Sequence, residues 1–188
     1  MNGSSAVNIL GICGSLRKGS YNAAALRAAG KLVPEGATLQ TFDIGPIPLY
    51  NEDVKQAGFP EPVQEFRKRI AAADALLIVT PEYNYSVPGV LKNAIDWASR
   101  PPDQPFNNKP VAIMGASPGM LGTARAQYHL RQIFVFLNMH FVNKPEVMIA
   151  AANTKFDEAG ELTDETTRKL MRELLQALTD WTRKLRGH

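Results

Sequence analysis

The chain has a single cysteine, Cys13, which excludes an intramolecular disulfide and any CxxC pair. Such usage belongs to a reducing compartment, so a cytoplasmic location is expected. No apolar run approaches the roughly 20 residues a membrane span needs, and the chain does not open with a basic segment followed by an apolar one. Charge of one sign is lacking too, since 21 Lys and Arg against 18 Asp and Glu leave a net charge of +3. The basic residues are dispersed apart from Arg67-Lys68-Arg69, read as the solvated face of a helix, and Arg183-Lys184 with Arg186, a favourable helix end. Nucleic-acid binding, which wants a dense basic stripe with aromatics, is therefore not expected. Histidines are few: His129 falls within a predicted helix, His140 beside a strand, and His188 closes the chain, where mobility is expected. Without a metal-ligand cluster, a Ser-His-Asp set or paired catalytic carboxylates, neither a metal nor a catalytic side chain is expected. Repeats, low-complexity segments and linkers are missing as well.

What is present is an alternation of strand and helix patterns with short punctuation, the mark of an open parallel α/β sheet. Strands are expected at 7–12, 38–42, 75–79, 111–116 and 141–149, the last interrupted by Pro145. The run Ala75 to Val79, ALLIV, is continuously apolar, as a strand buried on both faces should be. Helices are expected at 22–32, 62–73, 89–99 and 123–138, with a Pro-rich loop around Gly45 to Pro48. In the fourth helix Ala126, Leu130, Ile133 and Leu137 mark the core face. A last helix is expected after an N-cap at Thr163, packing through Leu170, Leu174, Leu178, Trp181 and Leu185. With 188 residues, 45% hydrophobic, the chain is long enough to bury a substantial core, and residues 1–188 read as one domain.

In such a sheet, ligands sit beyond the carboxyl ends of the strands. Three loops there carry chemistry. The first, within VNILGICGSLRKGSYN, joins an apolar strand to an Ala-rich helix, an arrangement that aims backbone N–H groups and a helix dipole at an anion. Ser15 and Ser20 add hydroxyls, Asn22 an amide and Arg17 a guanidinium suited to phosphate. Cys13, at the strand end, reads as a buried structural thiol. The glycines at 11, 14 and 19 do not fit G-x-G-x-x-G. Gly14 and Gly19 have nucleoside-triphosphate-loop spacing, but Ser20 and Tyr21 stand where Lys and Ser/Thr belong. A terminal phosphate monoester fits better, with an ordinary N-capped turn as the plain alternative. The second loop, TPEYNYSVPG from Thr80 to Gly89, sets Tyr83, Asn84 and Tyr85 between two prolines, as a platform for a flat ring or as a plain turn. The third, Ala116 to Gly122, can bring Ser117 and backbone donors to a ligand edge. A phosphate at one end and a planar heterocycle at the other describe flavin mononucleotide.

GSLRKGSYN followed by PEYNYSVPGVLKNAIDWASRP closely resembles the bacterial NAD(P)H-dependent FMN reductase family, in particular its chromate- and quinone-reducing branch. The match covers nearly the whole chain; the third loop, SPGMLGT, departs from the glycine-richer form of relatives. The resemblance implies a flavodoxin-like three-layer sandwich with strand order 2-1-3-4-5, non-covalent FMN, and NAD(P)H as co-substrate. It implies a ping-pong cycle that reduces quinones, with chromate, azo compounds or free flavin as further acceptors. By motif position Ser15, Arg17, Ser20 and Asn22 would hold the phosphate, with Gly14, Leu16 and Tyr21 of the same loop also binding the cofactor. Pro81, Glu82, Tyr83, Asn84 and Tyr85 would line the isoalloxazine, with Ser117 at its pyrimidine end, and the backbone of Glu82 is expected to matter more than its carboxylate. The family implies a homodimer or homotetramer in which a neighbouring subunit completes the site. Arg125 and Tyr128, off the core face of their helix, and Glu146 are then expected at the interface, Arg125 pairing with Glu146. A flavodoxin-like electron carrier and a non-catalytic nucleotide-binding module are the rival readings; the former resembles this chain less, since carriers have a Thr-rich loop and an acidic surface.

Overall fold

A computed structural model describes residues 6–187; His188 lies outside them. Five strands run in the order β2-β1-β3-β4-β5, and every pairing is parallel. They are β1 (Val7–Cys13), β2 (Ala37–Phe42), β3 (Ala75–Val79), β4 (Pro110–Ala116) and β5 (His140–Phe141), with β6 (Val147–Ile149) pairing the later half of β4. The expected fifth strand is thus two short ones. His140–Phe141 lies on Pro110–Val111 and Val147–Ile149 on Met114–Ala116, while the segment carrying Pro145, which has no N–H to give a ladder, leaves the sheet between them.

Helices cover both faces. On one, Val7, Ile9, Leu77, Val79 and Met114 pack against α1 (Tyr21–Gly30) and α6 (Glu165–Leu185). On the other, Leu10, Ile12, Leu76, Ile78 and Ile113 meet α3 (Glu61–Ala72), α4 (Gly89–Ala98) and α5 (Ala124–Phe136). A short helix, α2 (Glu52–Gln56), lies beyond the Pro-rich loop where no element was expected; it buries no residue, so apolar periodicity gave no sign of it. In α5, Ile133 is only partly buried, and Gln127 and Phe134 join Ala126 and Leu130 in the interior. No helix among the described residues is long and apolar enough to cross a membrane.

Helix α6 corrects two expectations. Its cap is Asp164, not Thr163: the carboxylate accepts from the Thr167 amide at 3.0 Å. Its buried stripe is Met171, Leu174, Leu175 and Leu178, continued by Thr179 and Thr182, while Leu170 and Leu185 are exposed. The two threonines are tolerated inside because their hydroxyls donate to the carbonyls of Leu175 and Leu178 at 2.8 and 2.7 Å. The Thr167 hydroxyl bonded to Asp164 holds that carboxyl below its ordinary value, with the Lys155 ammonium adding to the effect. A depressed folded-state pKa stabilises the fold above the unfolded value, near pH 4, and that gain disappears as pH falls through the folded value. Asp164→Ala should therefore cost about 0.5–2 kcal/mol at pH 7, with a smaller difference from wild type below pH 4; urea midpoints at the two pH values measure it.

Candidate active site

β1 delivers the first loop to the carboxyl edge of the sheet. Ser20 caps α1, its hydroxyl accepting from the amides of Asn22 and Ala23 at 3.2 and 3.4 Å. The loop amides of Ser15, Leu16, Lys18, Gly19 and Tyr21 find no acceptor among the described residues. With no acidic residue in the first turn of α1, these donors and the dipole form an anion cradle. Arg17 is exposed beside it, 5.8 Å from the centroid of the Tyr21 ring. The Asn22 side chain lines the cleft and, though buried, also ties two loops together. Its amide donates to the carbonyl of Ala116 at 2.9 Å and accepts from the Ala116 amide at 2.8 Å, joining the first loop to the third. Cys13 is partly buried, with its thiol on the Ser15 carbonyl; burial raises its pKa above the ordinary value, which leaves a structural thiol rather than a nucleophile.

The second loop makes a tight turn. The amides and carbonyls of Tyr83 and Ser86 bond reciprocally at 3.0 Å, and between them Asn84 and Tyr85 both take positive φ, 48° and 66°. Tyrosine seldom adopts that conformation. Tyr83 and Tyr85 are exposed. The Glu82 carboxylate, for which no partner was expected, reaches the N-terminus of α5, accepting from the amides of Arg125 and Ala126 at 2.9 and 3.2 Å and from Arg125 Nε at 2.5 Å. Arg125 in turn lies over the Tyr85 ring, 3.5 Å from its centroid. Within the chain Arg125 is therefore not joined to Glu146, which accepts instead from the Tyr128 hydroxyl at 2.9 Å. Ser86 adds a further link to α5, its hydroxyl 2.9 Å from His129 Nδ1, which gives this histidine a structural role.

The third loop leaves β4 through Gly115, where a Cβ would stand 1.9 Å from the Thr123 hydroxyl and 2.2 Å from the Thr80 carbonyl. Beyond it the Ser117 hydroxyl accepts from the Gly119 amide at 3.1 Å, shaping the turn. The three loops enclose one cleft of about 200 Å³. Of the sequence-derived set, Ser15, Arg17, Ser20, Tyr21, Asn22, Pro81, Glu82, Tyr83 and Ser117 line it, with Ala116 and Pro118 added. Gly14 supports it from behind, against Leu91, Thr80 and Pro81. Leu16, Asn84 and Tyr85 are exposed outside the lining. No group of three or more His, Cys, Asp or Glu side chains among the described residues could hold a metal.

Residues 7–154 match the NADPH-dependent FMN reductase family. The chain belongs to that family. An NAD(P)H-dependent FMN reductase of Pseudomonas aeruginosa is 62% identical over 181 residues, 96% of this chain and 98% of the relative. An NAD(P)H:quinone oxidoreductase of Solanum tuberosum is 48% identical, covering 96% and 95% of the two chains. Among solved structures the flavoenzyme NAD(P)H:(acceptor) oxidoreductase FerB of Paracoccus denitrificans superposes with a TM-score of 0.86 at 37% identity, covering 95% and 98%. As a member of the FMN reductase family, the chain is an oxidoreductase that works with FMN and NAD(P)H.

The cleft suits a flavin mononucleotide at both ends. Donors without acceptors, one free guanidinium and a helix N-terminus match a phosphate dianion, while Pro81 and Tyr83 present flat, partly apolar surface. Sequence reasoning missed the contact of the Glu82 carboxylate with α5, the pair of hydrogen bonds between Asn22 and Ala116, and Gly115. Only the excess of small residues where the third loop begins pointed toward a close approach.

Proposed function

We propose that the three loops hold one FMN and that the enzyme uses it to pass electrons from NAD(P)H to quinones. The supporting observation is a single cleft that joins the anion cradle of the first loop to the tyrosine turn of the second. In this reading the loop amides and Arg17 bind the phosphate, Ser15 and Ser20 flank it, and Asn22 fixes the third loop beside it. Pro81 and Tyr83 support the ring, and Ser117 borders its polar edge. The chemistry supplied by bound FMN is hydride acceptance from NAD(P)H and electron release to the acceptor. The chain's part is to hold the ring, shield one face and leave the other open; no acid–base side chain is required. Quinones are favoured because relatives at 48% and 49% identity are a quinone oxidoreductase and a quinone reductase. Chromate, azo compounds and free flavin are the acceptors to compare with them. Steady-state NAD(P)H oxidation by the FMN-loaded protein with a quinone tests this: turnover supports the reading, and FMN binding without turnover would leave an electron carrier.

We also propose a homo-oligomer built on α5. Tyr128, Val135 and Phe136 are exposed along that helix, 53%, 72% and 88%, a concentration of apolar and aromatic surface on one helix that suits an interface. Arg125, already held by Glu82, would border such a contact together with the Tyr128–Glu146 pair rather than form it by pairing with Glu146. Phe136→Glu should reduce the sedimenting mass at micromolar concentration; an unchanged mass would remove α5 from the interface.

A further inference from the structure

Helix α5 starts without a cap of its own. Thr123 stands at the cap position but makes no side-chain bond to the helix amides, and the first turn has no acidic residue. Both needs are met by Glu82, which lies 43 residues before Arg125 in the chain. One carboxylate oxygen accepts from the amides of Arg125 and Ala126, bringing negative charge to the positive end of the helix. The other oxygen takes the Arg125 side chain at 2.5 Å through both Nε and Nη2. The Glu82 side chain is only 7% exposed, so these donors stand in for the water that burial removes.

Held in this way, the guanidinium lies against the Tyr85 ring, a stacked arrangement to which its planarity is suited. Tyr85 is the residue that needs holding, because the turn places it and Asn84 in the left-handed region, which a bulky side chain occupies only when its surroundings impose it. We infer that Glu82 is a positioning residue: by capping α5 and gripping Arg125 it fixes the Tyr83–Ser86 turn that supports the flavin ring. This rests on the flavin site proposed above, and its first readout needs no flavin.

In flavin-free protein, Glu82→Gln should speed hydrogen exchange at the amides of Arg125 and Ala126 and at those of Tyr83 and Ser86, which close the turn. An amide side chain has a single accepting oxygen and cannot serve all these donors. Arg125→Met keeps the two backbone bonds to Glu82 and removes the stack; it should speed exchange at Tyr83 and Ser86 and leave Ala126 protected. In both variants Kd should rise about tenfold for FMN and for riboflavin alike, because the phosphate loop is untouched. If Glu82→Gln does not fold, Arg125→Met alone decides. Unchanged exchange at Tyr83 and Ser86, or a lower melting temperature with both flavin affinities intact, would overturn the inference and leave Glu82 a helix cap only. If the wild type takes up no FMN, the flavin site fails, while exchange at Tyr83 and Ser86 still decides whether Glu82 holds the turn.

Discussion

Gly115→Ala should destabilise the fold by at least about 3 kcal/mol, beyond the ordinary cost of an overpacked core. The added methyl would lie 2.2 Å from a backbone oxygen, that of Thr80, and 1.9 Å from the Thr123 hydroxyl. A flexible side-chain end could swing aside; a carbonyl at the end of β3 cannot move without its strand. Thr80 is tied to β4 through its amide, which donates to Met114 at 3.0 Å, so the strands would have to part where the second and third loops begin. Both flavin affinity and stability should therefore fall together. Urea denaturation measures the loss of stability, as a lower midpoint with unchanged slope. A midpoint within experimental error of wild type would mean that the strand ends give way easily.

Arg17→Ala should weaken FMN roughly ten- to a hundredfold, the loss of one charge-assisted contact of about 1.5–3 kcal/mol. The melting temperature of the flavin-free protein should barely change, since Arg17 is exposed and its guanidinium makes no hydrogen bond or ion pair among the described residues, lying only 5.8 Å from the centroid of the Tyr21 ring. Riboflavin, which has no phosphate, should bind the variant and the wild type equally. Equal affinities of wild type for FMN and riboflavin would remove the phosphate from this loop.

Much of the architecture was legible because each signal was local. Val7 to Ile12 and Ala75 to Val79 are apolar runs bounded by polar loops, and both form strands buried between helix layers. The parallel alternation then places every chemistry-bearing loop on one edge. The misreadings came where contacts distant in sequence decide. Leu170 and Leu185 share a period with Leu174 and Leu178, but the sheet meets α6 along Met171 and Leu175, which a one-helix pattern could not choose between. α2 buries nothing and so left no apolar trace. Asn22 reads as a ligand donor because its residue type suits one; only the approach of Ala116, distant in sequence, shows that one N–H and the oxygen of its side chain also join two loops. The same holds for Glu82 and the start of α5.

The unpaired amides of the first loop have a consequence for the life of the protein in a cell. Hydrogen bonds that the chain cannot make for itself leave part of its stability to be supplied from outside. With FMN at that loop, saturation at a hundred times Kd would add about 2.7 kcal/mol to the folded state. The population open to proteases would fall by about two orders of magnitude. Newly made chains would then persist or be cleared according to how much cofactor is free, so the abundance of the enzyme would follow flavin supply without any dedicated regulator.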